Sequence, residues 1–300
     1  MLPGVNLRFL PCVKLRKHYS RLRAIARVER KSAHGNPRPS LWLLGFYSDK
    51  AWRYPEGLRR QSHLYVSDWA AETRTSRLNP PEVRDLLRDK VSFAHHLAAH
   101  GLAQRAPRHL GEIRAGELWL EPGARGWGAG VVVKPRRGAG GSGVRVFCDL
   151  ASVESALARG DLVDSVVQER VNQHDEIARI FPGVLHTIRI LALRARAGSE
   201  DEVLVPAAAH RFGARATGVV DNAAAGGLVA RVDVAHGVLS SLVIQDPRGR
   251  RRLADSHPDT GTPVAGVTVP FWPEAKRLVV DLMNTLPDAV HIGWDIAIGP

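Results

Sequence analysis

Cysteine is almost missing from this chain: Cys12 and Cys148 are the only two in 300 residues. Two such distant cysteines cannot build a disulfide framework, and they lack the paired spacing of a cysteine-ligated zinc site. A reducing, cytoplasmic setting is the expectation. Long apolar runs are missing too. None approaches the roughly 20 residues needed to span a bilayer, and the N-terminus lacks the apolar stretch of a secretory signal. No internal repeat or low-complexity tract is evident, which sets aside solenoids and biased-composition segments. Acidic residues are scarce at the start, where Glu29 stands alone among the first 31 residues.

What is present is the balance of a globular protein, 44% hydrophobic and 24% charged, enough for one or two domains with a sizeable core. The net charge is +12, a field that attracts polyanions of any kind. The excess is densest in residues 1–31, where Arg16, Lys17, Arg21, Arg23 and Arg27 interleave with Leu15, Leu22, Ile25 and Val28. That pattern predicts a basic, partly amphipathic helix. It either packs one face on the body or meets a polyanion or an anionic membrane surface. Arginine is abundant along the whole chain, so no specific nucleic acid is inferred.

The rest reads as an α+β protein rich in hairpins. Residues 32–40, with Gly35, Pro37 and Pro39, form a linker, and residues 41–47 a short strand. A single helix is expected from about residue 80 to His100, stopped by Gly101. Strands follow at 117–120, 130–133, 144–147 and 165–168, with a helix at 150–159 between the last two. Further strands are expected at 185–193, 202–208, 227–234, 238–244 and 291–298, and a helix at 273–286.

The most informative string is VVVKPRRGAGGSGVRVF, residues 131–147. Gly138, Gly140, Gly141 and Gly143 let the backbone turn several N–H groups toward an anion. Ser142 adds a hydroxyl, and Lys134 brings a point charge to the mouth of the loop. The lysine precedes the glycines, unlike a P-loop, and no strand–turn–helix with a spaced acid supports a dinucleotide fold. As a lone glycine run this could equally be an ordinary hairpin turn.

The string resembles the nucleotide loop of ATP-grasp enzymes, where a strand ending in Lys-Pro leads into a Gly/Ser loop that closes over phosphates. RDKVSF, residues 88–93, resembles the Asp-Lys helix start of these ligases, which gives Lys90 a phosphate-binding role. VVQERV, residues 166–171, resembles the hinge that receives adenine, through the side chain of Gln168 and the backbone of Glu169 and Val171. HTIRILAL (186–193), VVDNAAAGGLVARVD (219–233), HPDTG (257–261) and HIGWDIAI (291–298) resemble the sugar-transfer associated, or alpha-L-glutamate ligase-related, group of that superfamily.

The resemblance implies an ATP-grasp fold, two α+β subdomains clasping ATP. Residues 1–40 would be a basic helix and linker, 41–78 a short α/β region, 79–165 the small subdomain and 166–300 the central one. It implies a ligase in which ATP phosphorylates a small carboxylate and an amine displaces the phosphate, in cell-surface polysaccharide or amino-acid conjugation. Charge neutralisation matters more than a strong base in that chemistry. Arg189 and Asn222 are the implied catalytic residues, with Arg211 a weaker candidate. Asp295 is the implied ligand of Mg2+, which prefers oxygen donors shared with phosphates. His210 and His257 read as structural. These ligases follow the metal Asp with a Glu-x-Asn strand, whereas this sequence stops at Pro300. The expectation is a truncated C-terminal end with weak turnover, Asp221 being the first substitute ligand to test. An ATP-binding regulatory module, or a basic polyanion-binding protein with an incidental loop, are the alternatives.

Overall fold

The computed structural model describes residues 78–138, 141–194, 202–218, 221, 227–245 and 251–300. The basic segment, the linker, the 41–47 strand, Gly140 and Asn222 lie outside these residues. All of these but Gln245 and Arg251 belong to one compact unit, 78–244 with 252–300.

It begins with two helices where the spacing predicts one, α1 (Pro81–Arg88) and α2 (Lys90–Ala99). The break is Asp89, whose extended backbone stops α1 while its carboxylate accepts the Val91 and Ser92 N–H groups, both at 3.2 Å. A side chain satisfying the first free N–H groups of a helix is an N-cap, so Asp89 restarts the chain as α2. Just before α1, the buried Asn79 accepts the Val290 and His291 N–H groups and donates to the His291 carbonyl.

Next come β1 (His109–Arg114), β2 (Glu117–Leu120), β3 (Val131–Pro135), β4 (Arg145–Phe147), α3 (Leu150–Ala158) and β5 (Ser165–Glu169). The five strands form an antiparallel sheet in the order β2-β1-β5-β3-β4. Strand residues alternate between faces. Leu110, Val131, Val133 and Val167 enter a core with Leu150 and Val153 of α3. Lys134 and Gln168 occupy the opposite face: Lys134 is opposite Val166, and Gln168 lies opposite both Val132 and His109.

After the short α4 (Asp175–Ala178), the strands β6 (Thr187–Leu193), β7 (Leu204–Phe212), β8 (Leu228–Val232), β9 (Leu239–Gln245) and β10 (Arg251–Ala254) lead to α5 (Trp272–Asn284) and β11 (His291–Ala297). They form a six-stranded sheet, β10-β9-β8-β7-β6-β11. One face is apolar: Ile188 and Ile190, Ala208 and Phe212, Ala230 and Val232, Trp294 and Ile296 pack with Trp272, Val279 and Met283 of α5. Val83, Leu97 and the flanking Phe93 join that same core. The helices before residue 100 thus pack with the second sheet, and the first sheet extends through β5 to Glu169, past the expected division at 165.

Arg194, just past β6, is buried in this core, and among the described residues it has no carboxylate partner. Its guanidinium donates to the carbonyls of Met283, Leu286, Pro287 and Ala289 and to the Asn284 side chain, at 2.8–3.3 Å. A cation on the free carbonyls at a helix C-terminus is favoured by hydrogen bonding and by the helix dipole. Among the described residues no helix is long and apolar enough to cross a membrane.

Candidate functional site

Lys90 and Lys134 converge. Lys90 is the first residue of α2, and its N–H donates to the Arg136 carbonyl at 3.2 Å, seating the helix against the loop entrance. Its ammonium donates to the carbonyls of Pro135 (2.9 Å) and Gly138 (3.1 Å). Lys134 projects from β3, and among the described residues no acceptor is recorded for its ammonium. Burial lowers the pKa of both lysines; for Lys134 the neighbouring Lys90 charge lowers it further, and for Lys90 the Asp89 carboxylate partly offsets the effect. Two cations brought together in a partly desolvated place raise the energy of the protein alone, and an anion between them would lower it.

The loop has the backbone such an anion needs. Gly138, Gly141 and Gly143 all have positive φ. At Gly143 (φ +72°) a Cβ would also come within 2.7 Å of the Pro135 ring, so both conformation and space demand glycine. Ser142 is exposed on the same turn. A charge relay fixes the loop entrance. Arg136 Nε donates to both Asp89 carboxylate oxygens, at 2.9 and 3.0 Å, and Arg136 Nη1 lies 3.6 Å from Glu112, which Arg114 also pairs. Burial alone would raise the Asp89 pKa, but the Ser92 and Val91 N–H groups and Arg136 together hold it below the usual carboxylate range. Nothing in the sequence pattern marked Arg136 or Glu112, because Arg136 meets Asp89 and Glu112 only through chain folding, 47 and 24 residues away.

At the end of β5 the residues expected to meet adenine are half-buried Gln168 and Glu169, followed by Val171. The Glu169 N–H donates to the Arg108 carbonyl at 3.0 Å. The Arg108 N–H donates to the Glu169 carboxylate at 2.9 Å, where a regular ladder would use the Glu169 carbonyl.

A second constellation covers the polar face of the six-stranded sheet. Arg189 of β6 lies opposite Asp295 of β11, and its Nε and Nη2 bind the two carboxylate oxygens at 2.5 and 3.1 Å. Arg211 of β7, opposite Thr187, reaches Asp295 Oδ1 at 3.0 Å and also donates to the Thr187 hydroxyl. Thr187 in turn donates through its N–H and hydroxyl to Asp221 Oδ2, at 2.8 and 2.5 Å. Gly293 makes room: a Cβ there would stand 3.0 Å from Arg189 Cδ. His210 and His257, by contrast, are buried in the core, His210 stacked on Phe212 and His257 on Phe181.

The sugar-transfer associated ATP-grasp family matches residues 71–299. The chain belongs to that family. Its fold is the ATP-grasp fold, and the loop and lysines described above lie within the matched span. Among solved structures, N5-carboxyaminoimidazole synthetase from Staphylococcus aureus is 11% identical, with 72% of this chain and 45% of that chain covered and a TM-score of 0.33. Its ADP complex is also 11% identical, covering 68% and 59%, with a TM-score of 0.30. A D-cycloserine synthetase is 16% identical, covering 83% and 88%, with a TM-score of 0.31. The chain thus spans less than half the length of the first of these. No curated protein matched.

Magnesium fits the described residues of this ATP-grasp chain poorly. It wants several oxygen ligands in octahedral geometry. Both Asp295 oxygens are held by guanidinium groups, and Asp221 Oδ2 is occupied by Thr187. One arginine-paired carboxylate is not a magnesium site, and no chemical step is assigned through it.

Proposed function

We propose that this ATP-grasp protein is an ATP-dependent carboxylate–amine ligase. The observation that carries the reading is the pair Lys90 and Lys134, two ammonium groups at the mouth of a glycine loop, one of them without an acceptor among the described residues. Phosphate oxygens of ATP would supply the missing acceptors, with the N–H groups of the loop around Gly138, Gly140, Gly141, Ser142 and Gly143. Adenine would lie at Gln168, Glu169 and Val171, where the carboxylate of Glu169 takes the donor that its carbonyl would otherwise receive. In the reaction a carboxylate oxygen of a small substrate attacks the γ-phosphorus and ADP leaves. The nitrogen of an amine then attacks the acyl carbon, phosphate leaves, and an amide remains.

Arg189 and Arg211, with Asn222, are proposed to face the carboxylate and its phosphorylated form. Their charge is matched to the negative charge that develops there. The family description supports a setting in sugar or polysaccharide conjugation. Asp295 favours a second reading, because it occupies both arginines: a nucleotide-binding module that does not ligate. Incubation with magnesium–ATP and a panel of carboxylates and amines separates the two. Release of ADP and phosphate that requires one particular carboxylate and one amine is expected. Nucleotide binding with no acceptor-dependent release would leave only the binding module.

A further inference from the structure

On the Lys134 face of the five-stranded sheet, at the rung shared with Gln168, His109 is held in an unusual state. The ring is largely buried, and among the described residues neither Nδ1 nor Nε2 has a hydrogen-bond partner. A buried imidazole with both nitrogens unsatisfied is costly, and such groups in folded proteins call for a specific explanation. Its Nε2 lies 3.6 Å from a carboxylate oxygen of Glu121, just past the end of β2. That is too long for a hydrogen bond. The ring of His95, on α2, stands edge-on to His109 with centroids 6.1 Å apart. One ligand atom from each of the three residues falls within 4.8 Å of the others, and among the described residues no other trio of histidine, cysteine or carboxylate side chains meets that condition.

We propose that His95, His109 and Glu121 form a binding site for a zinc-class divalent transition ion. Two imidazoles and one carboxylate are the donor set that Zn2+ accepts, and three protein ligands leave a position for water. Bonds of roughly 2.0–2.1 Å in tetrahedral geometry set neighbouring ligand atoms about 3.3–3.5 Å apart. The His109–Glu121 separation already approaches this, and His95 and Glu121 are exposed and free to close the remainder by rotation. Burial favours the neutral imidazole at His109, the form that ligates.

The ion would join two elements that pack into different cores. His95 stands on α2, whose Leu97 belongs to the core of the six-stranded sheet, whereas His109 and Glu121 flank strands of the other sheet. The site is distinct from the phosphate-binding lysines and from Asp295, and it does not depend on the chain being a ligase. It escapes sequence reading because the three residues come from helix, strand and turn, without a spacing motif.

The test uses the full chain, free of nucleotide, titrated with Zn2+ and with Co2+ as a coloured stand-in. One ion per chain, visible d–d absorption of a low-coordinate Co2+ site, and a rise in melting temperature with Zn2+ are expected. His95→Ala and Glu121→Gln change exposed side chains, so both should fold as judged by circular dichroism and bind at least about tenfold more weakly. Absence of the Co2+ bands in the unaltered protein would overturn the proposal, as would both folded variants binding like the parent through the other histidines.

Discussion

Two polar regions face away from the two cores, and they treat charge in opposite ways. On the five-stranded sheet, Lys134 is partly buried beside Lys90, and among the described residues no carboxylate is matched to it, although Asp89, Glu112, Arg114 and Arg136 nearby are fully paired. On the six-stranded sheet every charge named here is answered: Arg189 and Arg211 by Asp295, and Asp221 by Arg211 and the Thr187 N–H and hydroxyl. The first region has charge for an anion to answer. The second is closed on itself, so a ligand there must first compete with Asp295. Binding and stability should therefore respond with opposite signs to changes in the two places.

The largest effect is expected at Lys134. Lys134→Met keeps the aliphatic length and removes the charge, so ATP affinity by calorimetry should fall about 10- to 100-fold, the value of a charge-assisted hydrogen bond. The same change should raise the melting temperature of the nucleotide-free protein, because a partly desolvated cation beside Lys90 is gone. Loss of both affinity and stability would show Lys134 to be structural and would break the comparison.

pH separates the regions a second time. His210, buried in the six-stranded sheet, has its pKa lowered to about 3 by desolvation. A depressed folded value means that its contribution is intact above about pH 6.5 and is lost as pH falls toward 3, by about 1.4 kcal/mol per unit at most. Denaturant titration should show this acid limb, and His210→Phe should flatten it. The lysines act at the other end. Their pKa values lie below 10.5 when folded, so their cost to stability is relieved as pH rises from the lowered values toward 10.5, whereas ATP affinity falls over the same interval.

A smaller effect belongs to Asp295. Asp295→Asn leaves Arg189 without its carboxylate and Arg211 with Asp221 alone, at 3.7 Å; with Arg189 and Asp295 about half exposed, the loss by thermal denaturation should be about 1 kcal/mol. Affinity for anionic substrates should rise, the reverse of Lys134→Met. If the variant bound anions less well, Asp295 would be positioning the arginines rather than blocking them. Smallest is Gly293→Ala, whose Cβ presses on Arg189 Cδ; a few tenths of a kcal/mol and a weaker Arg189–Asp295 pair are expected, visible by calorimetry and by crystallography.

The parts legible in the sequence were those written locally. Lys134, its proline and the glycines are contiguous, and a lysine before glycines between two strands can be read without knowing any partner. The apolar alternation of Ile188 and Ile190, or of Trp294 and Ile296, places β6 and β11 as strands with one buried face. The Asp89 break was not legible, because the apolar spacing runs through it and only the cap geometry divides α1 from α2. Strand β1 was missed since Gly111 interrupts HLGEIR and Glu112 is buried through its arginine partners. The pairing of Arg189 with Asp295 depends on the β6–β11 register, which joins residues 106 positions apart. Arg194 gave no signal at all, its acceptors being carbonyls that any sequence supplies.

Proton uptake on nucleotide binding tests the central claim most directly. If Lys90 and Lys134 are held at lowered pKa values until phosphates arrive, the bound anion must raise them. Calorimetry of ATP binding across the alkaline range up to pH 10.5, in buffers of different ionisation enthalpy, should then show protons taken up by the protein where the free lysines begin to lose theirs, with less uptake by Lys134→Met. ATP binding with no uptake, or with uptake unchanged in Lys134→Met, would contradict the account and place the nucleotide elsewhere.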